Sequence, residues 1–93
     1  MTTDADPVSY YLIEKGWAVE GADGGRIGEV DEVLADLEAD IFDGLTVSTG
    51  LAKPARYVPA ERVAAIVEGS VVVDAPADAF EAEFPVWTGV PPE

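Results

Sequence analysis

Residues 23–35 read Asp-Gly-Gly-Arg-Ile-Gly-Glu-Val-Asp-Glu-Val-Leu-Ala, and the reading of this stretch decides the fold. Its first three residues, with Ala22 before them, form a turn signal: glycine supplies positive φ without a Cβ clash, and Asp-Gly suits a tight hairpin. The apolar residues that follow, Ile27, Val30 and Val33, recur every three positions, not every two. Two readings fit. In one, Ile27, Val30, Val33, Leu34 and Leu37 share one face of a helix. In the other, residues 26–35 form a strand with a bulge or strong bend near Gly28. The flanking glycines and the β-branched residues favour the strand.

The segments on either side agree with short strands joined by turns. Trp17 to Glu20 alternates apolar and polar, as a strand does. Residues 36–40 are a polar connection, and Ile41 to Thr49 is a third strand, with Leu45 and Val47 facing one way and Thr46 and Ser48 the other. Gly50 to Pro54 reads as a loop. Arg56 to Val58 opens a fourth strand that Pro59 interrupts, because proline has no N–H for the ladder. Ala60 to Val63 is expected to make one helical turn, Ala64 to Val67 resumes extended chain, Glu68-Gly69 turns, and Ser70 to Asp74 is the last strand.

Pro76 to Phe84 reads as a short helix, with Asp74 near its start as a cap and Phe80 and Phe84 on one face. Val86-Trp87 is apolar and too short to fold alone, so it docks elsewhere. Residues 8–15 are a helical turn or a docked arm. The expected fold is mainly β: five or six short antiparallel strands rolled into a small, partly open barrel with a short C-terminal helix. So small a sheet leaves raw edges unless it nearly closes on itself. The expected division is an N-terminal arm at 1–16, the barrel at 17–75, and the helix with its proline-flanked tail at 76–93; disorder is expected in 1–7 and 91–93.

Composition narrows the function. The 93 residues hold nineteen Asp or Glu against five Lys or Arg, a formal charge of −14, with no His, Cys, Asn or Gln. Disulfides, thiolate nucleophiles and Cys-type zinc sites are excluded, and so is an imidazole base. Nucleic acid and anionic membranes need positive charge, so neither is an expected partner. No apolar run approaches the roughly 20 residues of a membrane span, and no basic leader precedes an apolar core, so a cytoplasmic location is expected.

The charge is uneven. Glu29, Asp31, Glu32, Asp36, Glu38, Asp40 and Asp43 follow one another without a base, whereas Lys53, Arg56 and Arg62 face only Glu61. The acidic run reads as a solvated face; adaptation to a salt-rich cytoplasm stays open beside it. Glu29, Asp31 and Glu32 are the available carboxylates for acid–base work, with Glu29 and Asp31 on one strand face. Asp36, Glu38, Asp40 and Asp43 offer oxygens to a divalent cation without the glycine and terminal Glu of an EF-hand. Neither set is specific in so acidic a chain, and no catalytic residue, metal site or cofactor is expected.

The run Asp23-Gly24-Gly25-Arg26-Ile27-Gly28-Glu29-Val30, followed by Tyr57-Val58-Pro59-Ala60-Glu61-Arg62-Val63 and then Gly69-Ser70-Val71-Val72-Val73, resembles the PRC-barrel family from about Trp17 to Ala75. The matching residues have structural readings: Asp23 and Gly24 make the turn, Gly28 relieves a bend or a close crossing, and Pro59 turns a corner. The resemblance implies an interaction module. PRC-barrel domains occur in the photosynthetic reaction-centre H subunit, in a ribosome maturation factor and as small standalone proteins. These residues show neither the membrane helix of the first nor the companion domain of the second, so neither specific role is expected to transfer.

The expectation is a non-enzymatic assembly module that docks on a protein or forms a homodimer. Arg56, Arg62, Tyr57 and Trp87 are the candidate contact residues, since Arg and Trp are common interface anchors. Tyr57 also reads as a half-buried barrel aromatic, Trp17 as a barrel plug, and Trp87 as either a cover for an open barrel end or a docking group. An acidic mimic of nucleic acid and a small-ligand or metal-responsive module are the alternatives.

Overall fold

The computed structural model describes residues 10–36, 38–39, 41–50 and 52–89. The expected disorder in 1–7 and 91–93, and Asp40 among the cation candidates, lie outside these residues.

Six strands form one sheet: β1 (Ala18–Glu20), β2 (Arg26–Asp36), β3 (Ile41–Ser48), β4 (Arg56–Pro59), β5 (Val63–Val67) and β6 (Ser70–Val73). Their spatial order is β4-β3-β2-β1-β6-β5. The two edge strands, β4 and β5, are joined in sequence by a single 3-10 turn, Ala60–Arg62. At about 2 Å rise per residue so short a link cannot span a flat six-strand sheet, so the sheet must curl until its edges approach. The result is a partly open barrel. The sheet is mixed where antiparallel pairing throughout was expected: β1 runs parallel to β6. Antiparallel neighbours suit tight hairpins, whereas this parallel contact joins segments far apart in sequence through a long crossover.

Bulges explain the three-residue spacing that left β2 ambiguous. Val19 pairs with Gly28 and Glu20 with Arg26, so Ile27 is an extra residue. Val30 pairs with Val47 and Val33 with Leu45, with Asp31 the extra residue between them. Each bulge inserts one position, and a period of two becomes a period of three on the inner face. Glu29 lies opposite Ser48, and the Asp31 carboxylate accepts a 3.4 Å hydrogen bond from the hydroxyl of Thr46, which is fully buried and on the same strand face as Ser48.

The core comprises Val19, Val30, Leu45, Val47, Val58, Ile66, Val71 and Val73 from the strands, Ile13 before them, and Ala75, Phe80 and Phe84 after them. The C-terminal segment thus supplies the largest buried side chains. A 3-10 turn (Ala77–Ala79) leads into a one-turn helix α1 (Phe80–Glu83), and Phe84 lies just past its end. The Phe80 and Phe84 rings meet at 4.9 Å inside the barrel. They fill the place expected of Trp17, which is half-buried and packs against the core from one side.

Asp74 does not cap this segment; it pairs with Arg62. The carboxylate that holds the segment belongs to Asp23, which accepts hydrogen bonds from Gly25 N–H at 3.0 Å and Ala77 N–H at 3.2 Å. The β1–β2 turn residue therefore does two jobs, one local and one across 54 positions. The hydrogen bond from Gly25, then that from Ala77, holds the Asp23 carboxyl below the usual carboxylate range. A carboxyl whose folded pKa is depressed adds stability that is complete above its unfolded value, near pH 4, and is lost as pH falls through the folded value. Acid titration of wild type and Asp23→Ala should therefore show curves that are fully apart above about pH 4 and converge as pH falls below it. Parallel curves throughout would mean that the tie does not depend on the charge.

Candidate functional site

The four candidate contact residues gather around β4, and the tail brings them together. Residues 84–87 run antiparallel along the outer edge of β4: Tyr57 N–H donates to the Pro85 carbonyl at 2.9 Å, Trp87 N–H donates to the Ala55 carbonyl at 2.8 Å, and Arg56 bridges to Val86. This segment occupies an edge that would otherwise present unpaired backbone groups.

Tyr57 points outward from β4, opposite Thr46, and is buried because Trp87 covers it. Their rings lie 5.3 Å apart with planes 26° from parallel. The Tyr57 hydroxyl donates to the Asp43 carbonyl at 3.0 Å. Burial, and then the nearby charges of Asp43 and Glu61, push the phenol upward, so it remains a neutral donor. Trp87 is half-buried, and Val86, which lies opposite Arg56 and so faces the other side of the tail, is 40% exposed. An apolar surface is thus built on the outside of β4 from two segments that the sequence separates by about thirty positions.

The two arginines stand behind this surface. One Arg56 nitrogen donates to the carbonyls of Glu81 at 3.0 Å and Phe84 at 2.7 Å. A cation at the end of α1 meets carbonyls that the short helix cannot satisfy itself. Arg62 pairs with Glu83 at 2.6 Å and Asp74 at 3.4 Å, and its guanidinium lies 4.8 Å from the centre of the Phe84 ring. The hydrogen bond it donates to Glu83 raises its pKa further, and it stays charged. Arg56 and Arg62 thus fasten the C-terminal segment to the β4–β5 corner. Arg56→Met keeps the length of the side chain and removes the donors. It is expected to cost roughly 1–2 kcal/mol, read as a lower urea midpoint with an unchanged slope.

Sequence reasoning missed Asp43 as the acceptor for Tyr57. Pro85, which fixes its own φ and holds Phe84 extended, was the available signal for a strand-like tail. Of the structural turn residues, Asp23 and Gly24 lie in the β1–β2 turn, Gly28 lies where β2 meets the end of β3, and Pro59 is the last residue of β4. Among the cation candidates, Asp36 is engaged locally: its carboxylate accepts hydrogen bonds from Glu38 and Ala39 N–H in the β2–β3 turn. Among the described residues no helix is long and apolar enough to cross a membrane.

A search of curated proteins returned no match. The family model for the PRC-barrel domain matches residues 15–80, from the turn before β1 to the first residue of α1. That match covers well over half the chain and coincides with the partly open six-strand barrel, and the chain therefore belongs to the PRC-barrel family.

Proposed function

We propose that this protein is a non-enzymatic assembly module of the cytoplasm whose contact surface is the outside of β4, with a second copy of the chain as the first candidate partner. PRC-barrel domains are small binding and assembly modules, and the present chain has that architecture. The observation that carries the finer reading is the half-buried Trp87 stacked on Tyr57 outside β4, with Val86 40% exposed on the other side of the same tail, apolar groups on a chain whose formal charge is −14. Between two such chains, uncharged surface is where approach costs least.

Light scattering across a concentration series tests this. Wild type is expected to rise above its monomer mass of 9.8 kDa, and Trp87→Ala is expected to fall back toward it. A single-chain mass at every concentration, with no specific protein captured by cross-linking, would overturn the proposal.

One observation favours a second reading, the acidic mimic. Within β2 only residues up to Glu29 pair with β1, and within β3 only Gly44–Val47 pair with β4. Among the described residues the end of β2 and the start of β3 are therefore a two-strand ribbon without further strand neighbours, and they carry most of the acidic run. Competition with DNA for a basic protein at low salt tests that reading; no competition would remove it.

A further inference from the structure

A second site lies on another part of the barrel, where residues before β1 meet the β5–β6 turn. A cavity of about 230 Å³ is lined by Leu12, Glu14, Trp17 and Glu68. Backbone hydrogen bonds hold its walls. Trp17 N–H donates to the Glu14 carbonyl at 3.1 Å, closing a turn, and Ala18 N–H donates to the Gly69 carbonyl at 3.1 Å, bringing Glu68 beside Trp17. Val30 N–H donates to the Trp17 carbonyl at 2.8 Å and fixes the floor to β2.

The lining has one chemistry. Trp17 offers a half-buried aromatic surface, Leu12 is an apolar wall that is itself 58% exposed, and two exposed carboxylates flank them. Among the described residues no Lys or Arg lines the cavity, and neither Glu14 nor Glu68 forms an ion pair. A ligand that satisfies all four groups has an apolar stem and a positive head. The stem lies along Leu12, the cation meets the indole face, and the carboxylates supply the counter-charge.

We infer that this cavity receives a lysine side chain from a partner protein. The inference takes from the proposed function only that the ligand belongs to a protein; the site itself is separate from the β4 surface. It gives the partner a chemical character: a basic segment with at least one accessible lysine.

The test uses the full chain labelled with ¹⁵N and follows the two indole N–H signals at low salt. The probe is the tripeptide Gly-Lys-Gly with blocked ends. The Trp17 signal is expected to move saturably with an affinity of about millimolar, while the Trp87 signal stays in place. The same peptide acetylated on its lysine amine keeps the stem and loses the charge, and it should give no saturable shift. Glu14→Gln with Glu68→Gln should weaken peptide binding about tenfold, because both changes are at exposed positions that the core does not use. The inference is overturned by a still Trp17 signal, by equal response to the acetylated peptide, or by unchanged affinity in the double variant. Spermidine binding without peptide binding would also overturn it, by assigning the cavity to a free polyamine. Light scattering is read without peptide. A chain that associates while Trp17 stays silent therefore loses this site alone, and a monomer whose Trp17 responds loses only the self-association.

Discussion

Gly28→Ala is expected to cost roughly 3 kcal/mol and to lower Tm by on the order of 10–20 °C. A Cβ at this position would lie 2.0 Å from the Ser48 carbonyl oxygen, 3.0 Å from its carbon and 3.1 Å from the Thr49 Cα. All three atoms are backbone. No rotamer change relieves the contact, so either β2 or the end of β3 must move, and the barrel loses its register on one side or the other. Gly24→Ala is the comparison. Its φ is +86°, yet nothing lies within 4 Å of the added methyl. There the cost is only that of the left-handed conformation, about 1 kcal/mol. Thermal melts of the two variants should therefore differ widely although both replace a glycine of the same hairpin. Similar melting temperatures would mean that the crossing at Gly28 is looser than the structure shows.

Phe80→Ala is expected to cost about 3–5 kcal/mol, the range for removing a fully buried phenylalanine. Phe80 is 1% exposed and Phe84 2% exposed, and among the described residues no other aromatic side chain is as fully buried. A domain of this size has about 5–14 kcal/mol in total, so the variant keeps a small margin or none. Its urea midpoint should fall by more than about 1 M, or the chain should be unfolded without denaturant. Phe84→Ala should behave similarly. The double variant should cost less than the sum, because the two rings are each other's neighbours and the second loss removes a contact already gone. A Phe80→Ala protein that melts like wild type would show that the strands hold the barrel without the C-terminal segment.

The two predictions concern different kinds of information. Gly28 was legible as a special position because a glycine within a β-branched run marks a bend or a close approach. The atom it approaches was not legible, since Ser48 is twenty residues away and reaches Gly28 only through the pairing of β2 with β3. Phe80 and Phe84 were legible as a pair on one helical face. Their destination was not, because a short amphipathic helix packs equally well on an outer face or in an open barrel end, and only the space left by the curled sheet decides.

The remaining differences have the same origin. Asp23 was read as a turn residue, and it is one; its bond to Ala77 depends on the turn and the C-terminal segment arriving together. Asp74 was the nearer cap in sequence, but Arg62 competes for it and the chain direction past Pro76 leaves the first N–H groups facing the β1–β2 turn. The alternating strands β1 and β3 announced their partners through turns. The parallel contact between β1 and β6 is announced by no turn, because parallel strands are joined through a long connection. Trp17 was recognisable as a large aromatic at the start of a strand. The carboxylate of Glu68 beside it comes from a hairpin about fifty residues later, so the cavity exists only in the fold.

The succession of short strands along the chain, the hairpin turn at 22–25, the lack of thiol and imidazole groups and the overall repulsive charge were set by residue type and local spacing, which act over a few positions. Tertiary structure alone decided which segment fills the barrel, which edge the tail covers and which side chains form the two candidate binding surfaces. Those outcomes depend on contacts between distant parts of the chain, and their geometry exists only after the curved sheet has brought β4 and β5 near each other.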